Sequence, residues 1–352
     1  MNSRLWGATA ILLLSPLASS HPTSRPDSHA PIGVMGDHFH KPGEVMLSYR
    51  YMHMDMAGSR SDTSSISPTE IATTIPNRFF GTPGQPPTLR VVPTEMTMDM
   101  HMFGVMYAPM ERLTLMGMFN YIDKEMTHTT FQGGMGTTEL GSFTTKASGM
   151  GDTTLAGLIK IGSNEQNRLH ATIGVSLPTG DIKETDQILT PMGGTPSPRL
   201  PYPMQLGSGT YDLITGLSYA TFRDRWSFGS QWRSTFRLGA NDEDYSLGDE
   251  HELTSWGSYL AAPIMSISAR LKAYRRDNID GIDPQIVATV QTADPDNQAM
   301  DRLDASIGVN FGDGSWRGHR ISAEFTVPLH QKLDGPQLET DWGVTVGYQF
   351  TF

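Results

Sequence analysis

Met52-His53-Met54-Asp55-Met56 and Met98-Asp99-Met100-His101-Met102 are mirror images of one another. Methionine recurs at every second position. That is the period of a strand whose successive side chains point to opposite faces, not the 3.6-residue period of a helix. Laid antiparallel, like meets like. The pattern predicts Met52 opposite Met102, His53 opposite His101 and Asp55 opposite Asp99, in two neighbouring strands with a soft, thioether-coated face.

Outward from this pair, alternation continues along the chain. Strands are predicted over 44–56, 94–108, 111–126, 149–161, 168–177, 208–221, 225–238, 250–261, 264–276, 301–312, 318–328 and 340–352. The connections after the even strands are tight, as at Pro109-Met110, Phe222-Arg223-Asp224 and Ala262-Pro263. Those after the odd strands are long and rich in Gly, Pro, Asp and Thr, above all 57–93, 127–148, 178–207 and 277–300. Short turns on one rim and long loops on the other describe an all-β, twelve-stranded antiparallel transmembrane barrel, with short periplasmic turns and long outer loops. The closing run from Trp342 to Phe352 alternates apolar with small or polar residues and ends in phenylalanine. It resembles the assembly signal of bacterial outer-membrane barrels, so Phe352 is the expected handle for the barrel-assembly machinery.

The other end reads as an export signal. Arg4, the apolar run Ala8 to Leu14 and the small residues Ala18-Ser19-Ser20 predict a signal peptide over 1–20. Residues 21–43 then read as a flexible periplasmic segment, and 44–352 as the barrel in the outer membrane of a Gram-negative bacterium. Only 38% of residues are hydrophobic, which suits strands that are apolar on one side only. The net charge of -11 argues against nucleic acid as a partner. With no cysteine, disulfides, thiolate metal sites and cysteine catalysis are excluded together. Expected partners are outer-membrane lipids, lipopolysaccharide and a small solute.

Counting apolar residues by parity assigns the faces. In the first strand Val45, Leu47, Tyr49 and Tyr51 share a face, so Arg50 lies on the other. Arginine on a lipid face costs roughly 2–4 kcal/mol at the membrane midplane, which makes Arg50's face the lumen. Three strands then coat one wall of the lumen with Met46, Met52, Met54, Met56, Met96, Met98, Met100, Met102, Met106, Met116 and Met118. The facing wall is charged, with Arg233, Arg237, Arg270, Lys272, Arg302, Asp304, Arg320 and Glu324 pointing inward. Such a ladder either fills and stiffens the lumen or lines an aqueous path.

Gly149-Met150-Gly151-Asp152, Gly174-Val175-Ser176-Leu177-Pro178-Thr179-Gly180 and Gly207-Ser208-Gly209-Thr210-Tyr211-Asp212 resemble the signature of a family of outer-membrane β-barrel transporters associated with the meta-pathway of phenol degradation. The resemblance covers most of 44–352 and is strongest over 149–220. It implies an outer-membrane barrel that admits small, often apolar or aromatic molecules. It supplies no substrate-binding residues.

The methionine wall has three readings: lumen filler, a greasy slide for organic solutes, or a path for Cu(I) or Ag(I), since thioethers select soft ions. No cofactor is required by any of them. A copper or silver site would draw on Met54, Met100, His53 and His101, although His53, Asp55, Asp99 and His101 fall on the outward parity. The N-terminal Asp37-His38-Phe39-His40, with His21 and His29 before it, offers two histidines two residues apart that could chelate a metal or belong to an unstructured linker. An enzyme, such as a lipid hydrolase, is the less favoured class: His170, Ser176, His251 and His319 form no recognisable catalytic spacing, and neither H-E-x-x-H nor G-x-S-x-G occurs.

Overall fold

The computed structural model describes residues 25–312 and 316–352. The predicted signal peptide, 1–20, lies outside them. Long strands form from the alternating segments: β1 (Val45–Asp62), β3 (Val91–Met110), β4 (Leu113–Phe131), β6 (Thr153–Ser163), β7 (Asn167–Leu177), β8 (Asp212–Arg223), β9 (Trp226–Arg237), β11 (Glu250–Ala262), β12 (Met265–Arg276), β14 (Met300–Phe311) and β15 (His319–Thr351). Each pairs antiparallel with its neighbour in this order, and β15 returns to pair with β1. The ring of long strands is therefore closed, as a barrel. Two strands lie off this ring, β2 (Ser64–Ile66) on β1 and β5 (Glu139–Met150) on the outer half of β4. The loops add the short helix α1 (Pro68–Thr74) and a small ladder of β10 (Tyr245–Ser246) with β13 (Asp280–Gly281). No helix among the described residues is long and apolar enough to cross a membrane.

Eleven continuous elements close the ring, where twelve strands were expected. The last two expected strands form one element, β15, which pairs with β14 through Ile321 to Leu333 and with β1 through Leu333 to Thr351. The register of the opening pair also differs from expectation. Met52 faces Met100, His53 faces Asp99 and Met54 faces Met98. A shift of two residues keeps every side chain on its face. It also replaces an Asp55–Asp99 repulsion by a His53–Asp99 attraction and places Tyr49 opposite Phe103.

The outward face is apolar around the ring, with Phe103, Leu115, Phe119, Leu155, Ile173, Leu217, Trp232, Leu271, Ile307 and Phe325 exposed. Leu271, at mid-strand, is 52% exposed. Leu271→Arg is expected to lower stability by about 2–4 kcal/mol, measured by denaturant unfolding in lipid vesicles. An equal loss from Leu271→Ala would show that the face does not meet hydrocarbon.

The expectation of a flexible segment over 21–43 is corrected from Arg25 onward. This stretch runs through the barrel interior, with Asp27, Ala30, Ile32, Val34, His38 and His40 buried. Its contacts reach around the lumen. Arg168 donates to the Ser28 carbonyl at 3.2 Å, Arg320 to that of Ala30 at 2.6 Å and Gln231 to that of Met35 at 2.9 Å. His170 Nε2 lies 2.9 Å from the Gly36 carbonyl, and the His40 amide donates to Thr114 Oγ1 at 3.0 Å. The physical reason is hydrogen-bond demand. Inward polar side chains in a narrow barrel need acceptors, and an irregular backbone supplies them from every peptide. Val34 and Ala30 add an apolar contact with Trp256.

Candidate functional site

Four methionine pairs, Met46–Met106, Met52–Met100, Met54–Met98 and Met56–Met96, lie opposite one another across β1 and β3. The two ends of this wall are covered. At the short-turn end Met46, Met106 and Met116 pack with Leu158, and Gly36 of the interior segment lies over Leu158 and the Met116 sulfur. At the long-loop end Met56, Met96, Met98 and Met100 pack with Ile122 and Met126 on β4 and with Leu200, Met204 and Leu206 of loop 178–207. Met102 and Met118 are buried on the same wall.

Loop 178–207 is thus folded inward, and the sequence motifs singled out above hold it there. The Asp152 carboxylate, at the break between β5 and β6, accepts from the Gly180 amide at 3.0 Å and from the Ser208 amide and hydroxyl, both at 2.8 Å. Thr179 Oγ1 donates to the Gly151 carbonyl at 2.9 Å. Gly180 and Gly207 approach so closely that a Cβ on either would stand under 3 Å from the other's backbone. The three motifs therefore meet at one point of the wall. From there Lys124 Nζ reaches from β4 to the carbonyls of Pro203 and Gln205, at 2.8 and 2.6 Å.

Above the wall lies a cleft of about 460 Å³. Val91, His128, Phe143, Ile188, Leu200 and Val287 line it, with Pro86, Met192 and Pro198 at its sides. His128 stacks on Phe143 with ring centroids 4.7 Å apart and planes 5° from parallel. Ile188 and Leu200 line the cleft and also pack in the methionine cluster, so the floor of the cleft is continuous with the wall. The surrounding loops are clamped by charge. Arg90, fully buried, donates to the carbonyls of Ala72, Gln132, Gly133 and Gly136 at 2.9–3.1 Å. Arg199 bridges Glu243 and Asp283 at 2.5 and 2.7 Å. Hydrogen bonds from Lys183 and then Arg199 hold the Glu243 carboxyl below the usual range.

Most of the inward charges are paired. Arg270 ion-pairs with Glu324, Lys272 lies 3.4 Å and Arg302 2.9 Å from Asp304, and Arg237 joins Asp212 and Glu250 at 2.5 and 2.7 Å. Arg320 donates through Nη1 to Gln349 and through Nη2 to Ala30 and Asn310, while its Nε has no partner among the described residues. Of the two readings of the ladder, the structural network fits these residues. Arg50 and Arg233 make no hydrogen bond or ion pair among the described residues, and Arg50 is buried.

The set Met54, Met100, His53 and His101 is not brought together. Both methionines face inward, whereas His53 Nδ1 lies 2.8 Å from Asp99 and His101 Nδ1 2.8 Å from the Tyr49 hydroxyl on the outward side. Strand alternation separates them. Residues that sequence reasoning missed are those that build the cleft, notably His128, Phe143, Ile188 and Leu200. They come from segments read as structureless loops, and only the Thr-rich alternation of 127–130 with 142–145 hinted at the β4–β5 hairpin.

No protein-family model and no curated protein matches the chain. Among solved structures, an outer membrane channel from Pseudomonas putida F1 is similar over 91% of this chain and 99% of that one, with a TM-score of 0.60 and 15% identity. A Pseudomonas aeruginosa FadL homologue (TM-score 0.43, 11% identity, 88% of this chain and 90% of that one) and the P. putida toluene transporter TodX (0.42, 10%, 89% and 91%) are more distant. The fold of this chain is that of an outer-membrane β-barrel channel.

Proposed function

We propose that this chain is a channel in the outer membrane of a Gram-negative bacterium for passage of small apolar or aromatic solutes. The observation that carries the reading is the continuity of the outer apolar cleft with the methionine wall through Ile188 and Leu200. A cleft of this size, apolar and with one stacked His–Phe pair, has the chemistry of a small-molecule site. Methionine adapts to irregular apolar shapes and to ring edges, so the wall below offers weak, repeated contacts rather than one tight site. In this reading a solute enters the cleft, passes Leu200 to Met56, Met98, Met54 and Met100, and leaves past the interior segment. The fold-back of β15 at Leu333 gives the barrel twelve passes, with both ends of the chain on the periplasmic side. Export by the leader, assembly through Phe352 and a link to the phenol meta-pathway belong to the same proposal.

Displacement of a fluorescent apolar probe from the purified barrel tests the cleft. Phe143→Asp is expected to weaken binding of a monoaromatic hydrocarbon about tenfold, by placing an unpaired charge in an apolar site. Unchanged affinity would remove the cleft from the path. The second reading, Cu(I) or Ag(I) passage, is favoured by the Met52–Met100 and Met54–Met98 rungs, which bring thioethers of two strands face to face. Silver titration of the wild type against Met54→Leu separates it from the first.

A further inference from the structure

The interior segment carries more chemistry than a filler needs. His29, Asp37 and His38 each present a ligand atom within 4.8 Å of the other two. The His29 and His38 rings stand edge to face, 4.4 Å between centroids. His29 Nδ1 lies 3.9 Å from Asp37 Oδ2, and His38 Nδ1 lies 2.8 Å from Asp37 Oδ1. One nitrogen of each ring is left over: His29 Nδ1 and His38 Nε2 are buried without a hydrogen-bond partner among the described residues, and the His38 side chain is only 3% exposed. The next histidine repeats the pattern: His40 Nδ1 lies 3.5 Å from Glu44, its Nε2 is bare, and its ring is 4.8 Å from that of His38.

Buried polar atoms are almost always paired, so three bare imidazole nitrogens in one stretch call for a ligand. A carboxylate on one ring nitrogen fixes the tautomer and leaves the other nitrogen basic, which is the arrangement behind metal-ligating histidines. We propose that His29, Asp37 and His38, with His40 adjacent, form a binding site for a divalent transition-metal cation inside the barrel.

The surroundings narrow the class of ion. The charges of Arg50, Arg168 and Arg320 act on Asp37, and those of Arg320 and Arg168 on His29. This positive field repels ions held by charge alone, such as Ca²⁺ and Mg²⁺ on carboxylate oxygens. Zn²⁺ and Cu²⁺, which favour imidazole nitrogen, can still bind, with Cu²⁺ the tighter of the two. The bound ion would staple residue 29 to residues 37 and 38, closing a loop that the Ala30 amide already ties to Asp37 Oδ2 at 2.9 Å.

The test uses the full barrel in detergent micelles with Cu²⁺ and Zn²⁺ as probes. One ion per chain is expected by titration, with nitrogen splitting from two imidazoles in the Cu²⁺ spin-resonance spectrum. His29→Gln and His38→Gln should each remove one nitrogen and weaken binding at least about tenfold, whereas His53→Gln on the outward face should change neither. Absence of micromolar binding by the wild type, or a signal that survives both substitutions, overturns the site. If a variant fails to fold, carbethoxylation of the wild type decides: Zn²⁺ should protect His29 and His38, and equal modification with and without Zn²⁺ overturns the proposal. Loss or retention of the apolar cleft's ligand has no bearing on either outcome.

Discussion

Deleting residues 25–40 raises the conductance of the barrel severalfold in planar bilayers. The segment crosses the lumen and is held by β4, β7, β9 and β15 through Thr114, Arg168, His170, Gln231 and Arg320. Its removal leaves those side chains facing an aqueous lumen, where water replaces the lost carbonyls, so the wall is expected to survive. The wall's own ladder does not depend on the segment, since β1 closes on β15 from Met46–Thr351 onward. A gentler form of the same experiment is Gly33→Val. A Cβ at Gly33 would collide with Glu324 Oε1 and stand 2.6 Å from Arg270 Nη2, so either the ends of those two side chains or the segment must give way, and the branched valine adds to the displacement. An intermediate conductance is expected. Deletion with unchanged conductance would place the resistance in the outer loops instead.

Glu324→Ala lowers barrel stability by about 3–5 kcal/mol, because it leaves Arg270 buried and without its counter-charge. Arg270 is 6% and Glu324 2% exposed, and among the described residues the guanidinium has only the Thr254 and Ser306 hydroxyls, at 3.4 and 3.3 Å, as other partners. The double variant Arg270→Met with Glu324→Leu recovers most of the loss, since an apolar pair of similar volume carries no desolvation cost. Urea unfolding in vesicles, read by intrinsic fluorescence, measures both. Equal losses from the single and the double variant would show that packing, rather than the unpaired charge, sets the cost.

Much of the barrel was legible because its signal is a period of two repeated in strand after strand. Parity assigned Trp232 and Leu271 to the outward face, and both are exposed; a face is insensitive to small errors of register. The same insensitivity hid the register itself. Met52 meets Met100 rather than Met102, and only the pairing of His53 with Asp99, against the repulsion of Asp55 with Asp99, tells the two apart. The strands expected over 318–328 and 340–352 are joined in the structure as the single element β15, whose turn carries Gly335 and Pro336. Gly335 takes a positive φ of +67°, so the ladder turns there without a break in strand geometry.

The candidate site was legible only in half. The methionine wall follows from spacing, but the cleft above it depends on how loops pack, and their residues show no periodicity. Leu200 acts there because Asp152, Gly180 and Ser208, more than twenty residues apart along the chain at each step, converge in space. The interior segment was missed for a related reason. Its backbone carbonyls do the binding, and a carbonyl leaves no mark on residue identity.

The most direct measurement is uptake of a radiolabelled monoaromatic hydrocarbon by bacteria with an intact outer membrane that lack their own channels for apolar solutes. Cells producing the wild-type chain should take up the compound faster than cells without it, and Phe143→Asp should bring the rate back toward the background with the barrel still folded in the membrane. Equal uptake with and without the chain would rule out passage of apolar solutes as its role.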